Sequence, residues 1–387
     1  MRLLFYSPSN AIGGAELSLF ALIKEFRSRG FEIFLALPKG KNADYVNKIE
    51  PYVNEIFFVK SMPWIYYGNP NYFKRLYNFL YQNYKTKGGH LVSVLKFLWI
   101  LYSKKIDFSF TNTIYTFDLG LASWILRLKH IQYVREPISS NGEGLVKLKL
   151  GNSSFTRWLY DRFNHKIICN SFFTFNGCKN YFPQKKLVVI YNPIDPVTIE
   201  QKLNFNASLK IVIVANLTSN WKNHSFAIKV ASSLNRIYPN NSFRFCFYGN
   251  LPNSNNEYFE NLKNMIREFG IESRISFEGL RSVDEIYENA FAMLHPSGLE
   301  TFGRIYVEAM SARVPVIAVR GGAAIELIDH LKNGILVEHD DPDQTSNWLM
   351  KLLNDHTLRS NLVTNGLKFA GKFNPKSIVD QLTDSLI

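Results

Sequence analysis

His295-Pro296-Ser297-Gly298-Leu299-Glu300-Thr301-Phe302-Gly303-Arg304-Ile305-Tyr306-Val307-Glu308-Ala309-Met310 is the stretch from which the rest of this 387-residue chain can be read. An apolar strand, Ala290–Leu294, precedes it, Ser297 and Gly298 supply a turn, and a helix begins near Glu300 and contains Glu308. Strand, turn and helix in that order form one unit of a parallel sheet. Eight residues apart, at about 100° each, the two glutamates lie on roughly the same side. A pair of ionised carboxylates suits a polyhydroxyl ligand, because they accept hydrogen bonds from sugar and ribose hydroxyls. Spacing alone equally describes two surface glutamates near the positive end of a helix.

The same alternation runs outward in both directions. Strands are expected at Arg2–Tyr6, Glu32–Leu37, Glu55–Val59, Asp107–Thr111, His130–Arg135, Lys166–Cys169 and Leu187–Ile190, with helices at Ala15–Arg29, Tyr72–Tyr84, Leu91–Lys104 and Phe155–Phe163. Two prolines in Tyr191-Asn192-Pro193-Ile194-Asp195-Pro196 interrupt the pattern and mark a boundary. It restarts at Leu209–Ala215 and continues through Lys222–Tyr238, Ser242–Tyr248, Arg274–Phe277, Val314–Val319 and Ile335–Val337. Two doubly wound α/β domains follow, residues 1–193 and 194–373, with a ligand cleft between them. A last helix, within 374–387, is expected to return to the first domain.

Composition narrows the class. Hydrophobic residues make up 46% and charged residues 20%, which excludes a disordered or coiled-coil chain. Three cysteines without a C-x-x-C pair support neither a disulfide framework nor a zinc site. The first apolar run is too short for a secretory signal, and Leu91–Tyr102, broken by Lys96, is too short to span a bilayer. A cytoplasmic protein, soluble or peripheral, is the expectation. Its net charge of +13 is unevenly spread: 26 Lys+Arg face 11 Asp+Glu in residues 1–193, against 19 and 21 in the remainder. The basicity belongs to the first half and points to an anionic partner there.

Three further turns carry chemistry. Ser9-Asn10-Ala11-Ile12-Gly13-Gly14-Ala15-Glu16 follows the first strand and opens a helix, an arrangement suited to phosphate but without dinucleotide spacing. Asn216-Leu217-Thr218-Ser219-Asn220-Trp221-Lys222-Asn223-His224 joins a strand to a helix, placing Lys222 where the dipole disfavours a cation unless an anion is bound. Arg320-Gly321-Gly322-Ala323-Ala324-Ile325-Glu326 is a second glycine-rich strand–helix turn.

Taken together, these blocks resemble the family 4 retaining glycosyltransferases, which have the GT-B fold of two Rossmann-like domains facing across a cleft. The resemblance rests on Gly13-Gly14-Ala15-Glu16, Tyr191-Asn192-Pro193-Ile194-Asp195, the E-x7-E block with Phe302-Gly303 inside it, Pro315-Val316-Ile317-Ala318, and Gly321-Gly322 followed by Glu326. It is tight from about 209 to 340 and looser before 190. It implies that Glu308 binds the nucleotide ribose and that Glu300 holds a donor-sugar hydroxyl beside the backbone N–H groups of Phe302 and Gly303. By the same resemblance, Lys222 neutralises the donor diphosphate and Gly13 and Gly14 approach the same region. No cofactor and no metal are implied, since lysine and helix dipoles take the neutralising role. Two positions depart from the family. Asn216 stands where an arginine is common, and Arg135 follows the strand where many members carry a histidine near the reacting carbon. Arg135 taking a related catalytic role and Arg135 pairing with Glu136 are both open.

Between Glu55 and Asp107 there is no acidic residue, and Trp64–Lys105 holds 12 aromatics and seven Lys/Arg. A membrane-facing surface and a solvated basic face over an aromatic core both fit that mixture. The expectation is a retaining transferase that moves a sugar from a nucleotide-sugar to a hydroxyl of a lipid-linked or surface glycan of the lipopolysaccharide, O-antigen or capsule type. An anionic membrane surface is a further partner through 64–105, and no nucleic-acid partner is expected. The alternatives are a catalytically silent nucleotide-binding protein of the same fold and a glycoside hydrolase using Glu300 and Glu308 as a carboxylate pair.

Overall fold

A computed structural model describes residues 1–9, 12–40, 42–60, 63, 65–67, 89–136, 138, 146–148, 154–203, 208–218, 220–252 and 256–386. The expected helix Tyr72–Tyr84, and Trp64 with residues 68–88 of the basic segment, lie outside the described residues. The chain divides into two compact units, Met1–Pro193 with Pro375–Ile387, and Ile194–Asn374.

The first unit is built on a seven-stranded parallel sheet. Its strands are β1 (Arg2–Tyr6), β2 (Glu32–Leu37), β3 (Glu55–Phe58), β5 (Phe108–Thr111), β6 (Lys129–Val134), β8 (Lys166–Cys169) and β9 (Leu187–Val189), in the order β3-β2-β1-β5-β6-β8-β9. A separate antiparallel pair, β4 (Ile65–Tyr67) with β7 (Val146–Leu148), was not foreseen in the sequence. β1 and β2 read as continuous apolar runs because both of their faces are covered. Leu3, Phe5, Ile33, Leu35 and Leu37 enter one core, where Phe5 and Phe110 stack with ring centroids 4.6 Å apart. Leu4, Tyr6, Phe34 and Ala36 enter the other, under the helix Gly89–Ser103. The helix Pro375–Leu386 packs on the helix Gly14–Ser28 through Ile378, Val379 and Leu382, and Arg29 Nη1 meets Asp380 Oδ1 at 2.7 Å.

The second unit carries six parallel strands, β10 (Leu209–Val214), β11 (Phe243–Tyr248), β12 (Ile275–Gly279), β13 (Ala290–His295), β14 (Val316–Val319) and β15 (Ile335–Val337), ordered β12-β11-β10-β13-β14-β15. The strand order reverses between β10 and β13. Connections leaving the carboxyl ends of these two neighbours run to opposite faces, so a crevice opens there. The loop after β10 contains Lys222 and the loop after β13 contains Glu300. Topology alone therefore brings two residues 78 positions apart to one place.

Candidate donor site

β10 ends in Val214, and the chain then makes a 3-10 turn, Asn220–Lys222, before the helix His224–Ile237. Lys222 thus stands just outside the helix rather than in its first turn, because Asn223 takes a left-handed conformation (φ 53°) between them. That conformation is held by a bond across the crevice: Asn223 Nδ2 donates to the Pro296 carbonyl at 3.2 Å. Ser297 Oγ answers by donating to the Trp221 carbonyl at 2.9 Å. Two hydrogen bonds therefore lock the lysine loop to the glutamate loop.

Within this frame Lys222 Nζ donates to Glu300 Oε1, with both side chains about 15% exposed. His295, the last residue of β13 and fully buried, places Nε2 3.4 Å from the same oxygen, which is long for a hydrogen bond. Its ring stands edge-on to Tyr306, with centroids 5.3 Å apart. Burial alone would raise the Glu300 pKa, but the Lys222 ammonium and His295 bring it well below the usual carboxylate range. Burial in turn lowers the His295 pKa, with Glu300 opposing and Lys222 pushing the same way as burial. Lys222 also lies over the half-exposed Trp221 ring, 4.0 Å from its centroid.

Glycine fixes the backbone of this loop at two points. Gly303 caps the helix Arg304–Ser311 at φ 73°, and a Cβ there would stand 2.2 Å from the Tyr306 ring. Gly322 sits at φ 50°, where a Cβ would meet the Glu300 carbonyl at 2.4 Å. Ala323 N–H donates to that same carbonyl at 2.8 Å. The second glycine-rich turn is thus a brace for Glu300 rather than a separate anion site. Phe302 is core, its ring 5.8 Å from that of Phe373, so any part it plays toward a donor belongs to its backbone.

Glu308 lies within the helix, 7% exposed, and Arg304 approaches its Oε1 with Nε at 3.2 Å and Nη2 at 3.1 Å. Each of the two glutamates is therefore met by a cation on its Oε1. Asn216 is occupied differently: its Oδ1 accepts the Asn250 N–H at 3.0 Å, tying the ends of β10 and β11 together.

In the first unit the glycine-rich turn is capped by its own glutamate. Glu16, 3% exposed, accepts the Gly13 N–H at 3.1 Å and the Ser7 hydroxyl at 3.1 Å. Gly13 is extended, and a Cβ on it would find Glu16 Oε2 no nearer than 3.7 Å. Arg135, at the end of β6, directs Nε to Asn112 (3.0 Å to the carbonyl, 3.2 Å to Oδ1) and Nη1 to Asn192 Oδ1. Glu136 Oε2 instead accepts the backbone N–H of Arg135 at 3.0 Å and of Ile114 at 3.4 Å. Asn112 Nδ2 donates to the Ala15 carbonyl at 3.1 Å, which links Arg135 to the turn containing Gly13 and Gly14.

No local signal in the sequence singles out His295, Arg304 or Asn112. The first two stood inside the quoted block, where a histidine closing an apolar strand reads as core and an arginine opening a helix reads as surface. Asn112 carried no signal beyond its place after a strand.

The family described as Glycosyltransferase Family 4 matches residues 12–197, and that described as Glycosyl transferases group 1 matches residues 197–369. A glycosyltransferase of Methanocaldococcus jannaschii is 27% identical over 48% of this chain and 50% of its own length. A D-inositol 3-phosphate glycosyltransferase of Corynebacterium urealyticum is 26% identical over 47% of this chain and 44% of its own. The chain matches about half or less of the length of these curated relatives. Among solved structures, HepE of Anabaena in complex with UDP and glucose superposes with a TM-score of 0.77 at 20% identity, covering 100% of this chain and 99% of that one. The lipopolysaccharide outer core galactosyltransferase WaaB gives 0.67 at 15% identity, covering 100% and 99%. At such identities the likeness shows the shared two-domain fold.

Proposed function

The chain belongs to the family 4, group 1 glycosyltransferases, and from that premise we propose that it is a retaining enzyme moving a sugar from a nucleotide-sugar to a hydroxyl acceptor. The observation that carries this reading is the meeting of Lys222 and Glu300 at the switch point between β10 and β13. A buried ammonium held on a carboxylate is a cation ready for a diphosphate, and the carboxylate, fixed by Lys222 and braced by Gly322, is an acceptor for sugar hydroxyls. Glu308, held by Arg304 on one oxygen, accepts the ribose hydroxyls in this reading. Gly13 and Gly14 offer a close backbone approach, and Asn216 leaves Lys222 as the principal phosphate cation.

Chemically, the bond between the sugar anomeric carbon and the β-phosphate oxygen breaks while the acceptor hydroxyl oxygen bonds to that carbon from the same face. The hydroxyl proton passes to the departing diphosphate, whose charge Lys222 meets. No protein nucleophile is required, and Arg135 is the candidate for the catalytic role that a histidine takes in many members of the family. A glycoside hydrolase has no diphosphate to bind, so Lys222 at the switch point weighs against that alternative. HepE was crystallised with UDP and with UDP-glucose, which supports a uridine nucleotide as the first donor to try here. The acceptor proposed is a growing glycan on a lipid carrier, in keeping with the basic first half of the chain. Proton NMR of the product tests the reading: an anomeric configuration matching the donor supports it, and an inverted one overturns it.

A further inference from the structure

The helix Gly89–Ser103 breaks the ordinary rule for a helix on a protein surface. Its inner side, Val94, Phe97, Ile100 and Leu101, is buried against Leu4, Tyr6 and Phe34. The outer side should then be polar. Instead Leu91 is 66% exposed, Val92 53%, Leu95 56%, Trp99 57% and Tyr102 80%. At about 100° per residue these five fall within one arc of roughly 100°, with Ser103 and Lys96 along one margin. Phe58, 46% exposed at the end of β3, extends the patch, and the Phe57 ring meets Trp99 edge-on at 6.2 Å.

The charge around this face is positive. Lys60, Lys96 and Lys105 border it, as does Lys104, which is paired with Glu55, and the helix itself contains no acid. The acids on the neighbouring elements are all engaged, one of them with a lysine of this border. Glu55 Oε2 pairs with Lys104 at 2.6 Å, Asp107 accepts the Arg2 N–H at 2.7 Å, and buried Asp118 is held by His90 Nδ1 at 2.5 Å and by Ser93 Oγ. A soluble partner would need a complementary apolar groove with an acidic rim. A bilayer supplies both at once, acyl chains for the apolar arc and headgroup phosphates for the lysines, with tryptophan and tyrosine placed at the boundary.

We propose that the outer face of the helix Gly89–Ser103 is a membrane-docking surface, seating the first unit in the plane of an anionic bilayer. The placement deepens the reading of a lipid-linked acceptor, because a sugar acceptor anchored in a membrane must be met at its surface. It is tested without donor or acceptor, so its failure leaves the transferase reading standing.

The measurement is co-sedimentation of the full chain with phosphatidylglycerol-containing vesicles and with pure phosphatidylcholine vesicles, at low and high salt. Wild type should bind the anionic vesicles and retain part of that binding at high salt, since apolar burial is not screened. Leu95→Glu with Trp99→Glu should weaken binding by at least about tenfold at either salt. Lys96→Ser with Lys105→Ser should lower only the salt-sensitive part. The circular dichroism spectrum and the thermal melt report that each variant is folded; should the Glu pair fail to fold, Leu95→Ser with Trp99→Ser replaces it. Three results would overturn the proposal: no binding of wild type to anionic vesicles at low salt, equal binding by the Leu95/Trp99 variants, or a wild-type dimer in solution that those variants dissociate.

Discussion

Lys222 and Glu300, 78 residues apart in sequence, form a nearly buried ion pair at the switch point of the second sheet, and two hydrogen bonds between their loops hold them there. Removing one member of such a pair leaves the other charge buried alone, whereas replacing both with neutral groups costs much less. Lys222→Met should therefore lower stability by an amount on the order of 3 kcal/mol. The double variant Lys222→Met, Glu300→Gln should recover most of that loss in a thermal melt while remaining inactive. A double variant that is active would separate the pair from the chemistry.

Much of the fold is legible in the sequence, for a definite reason. β1 and β2 are covered on both faces, so each shows as an apolar run after its first residue, and the alternation with helices identifies the class. The crevice is less legible. Lys222 reads as a helix N-terminal residue, yet Asn223 turns left-handed there because Pro296, 73 positions on, accepts its side-chain amide. The contact of His295 with Glu300 depends on the loop folding back over its own strand, and no local spacing reports that. The helix Gly89–Ser103 is apolar all round, so its sequence does not say which side faces out.

Glu308 should contribute to nucleotide affinity through a charge-assisted hydrogen bond. Glu308→Ala is expected to weaken nucleoside diphosphate binding by roughly 1.5–3 kcal/mol, read by calorimetric titration. Arg304→Met leaves the carboxylate in place but unheld, and should weaken binding less, with Arg304→Lys intermediate. An Arg304→Met variant weaker than Glu308→Ala would mean that the arginine itself contacts the nucleotide.

Acidification should destabilise the protein in two windows. His224 is pushed down to about 4 and His130 to about 3 by burial, and His295 is lowered as well. Each folded pKa lies below the unfolded value of about 6.5, so the unfolded chain takes up the proton first and stability falls as pH drops below about 6.5. Glu300 adds a second loss. Its folded pKa is depressed, so its contribution is full above the unfolded value of about 4.3 and declines as pH falls below it. Denaturant midpoints taken from pH 8 to pH 3 should show both declines, with Glu300→Gln flattening only the lower one. A midpoint that does not change between pH 7 and pH 5 would contradict the histidine account.

Transfer should proceed without a divalent metal, because Lys222 stands where the donor diphosphate is proposed to bind. Full turnover after exhaustive chelation is the expected outcome. Activity that disappears and returns with magnesium or manganese would assign the diphosphate to a metal.

Lys222 and Glu300 are proposed to form a nucleotide-sugar site, and the release of nucleotide reports on it most directly. Incubating wild type and Lys222→Ala with a panel of nucleotide-sugars, and reading which nucleotide is released, tests it. Wild type should release nucleotide from one donor, and the folded Lys222→Ala variant should release it at least about a hundredfold more slowly, the loss expected for a positioned transition-state cation. Release from no donor, or equal release by the Lys222→Ala variant, would contradict it.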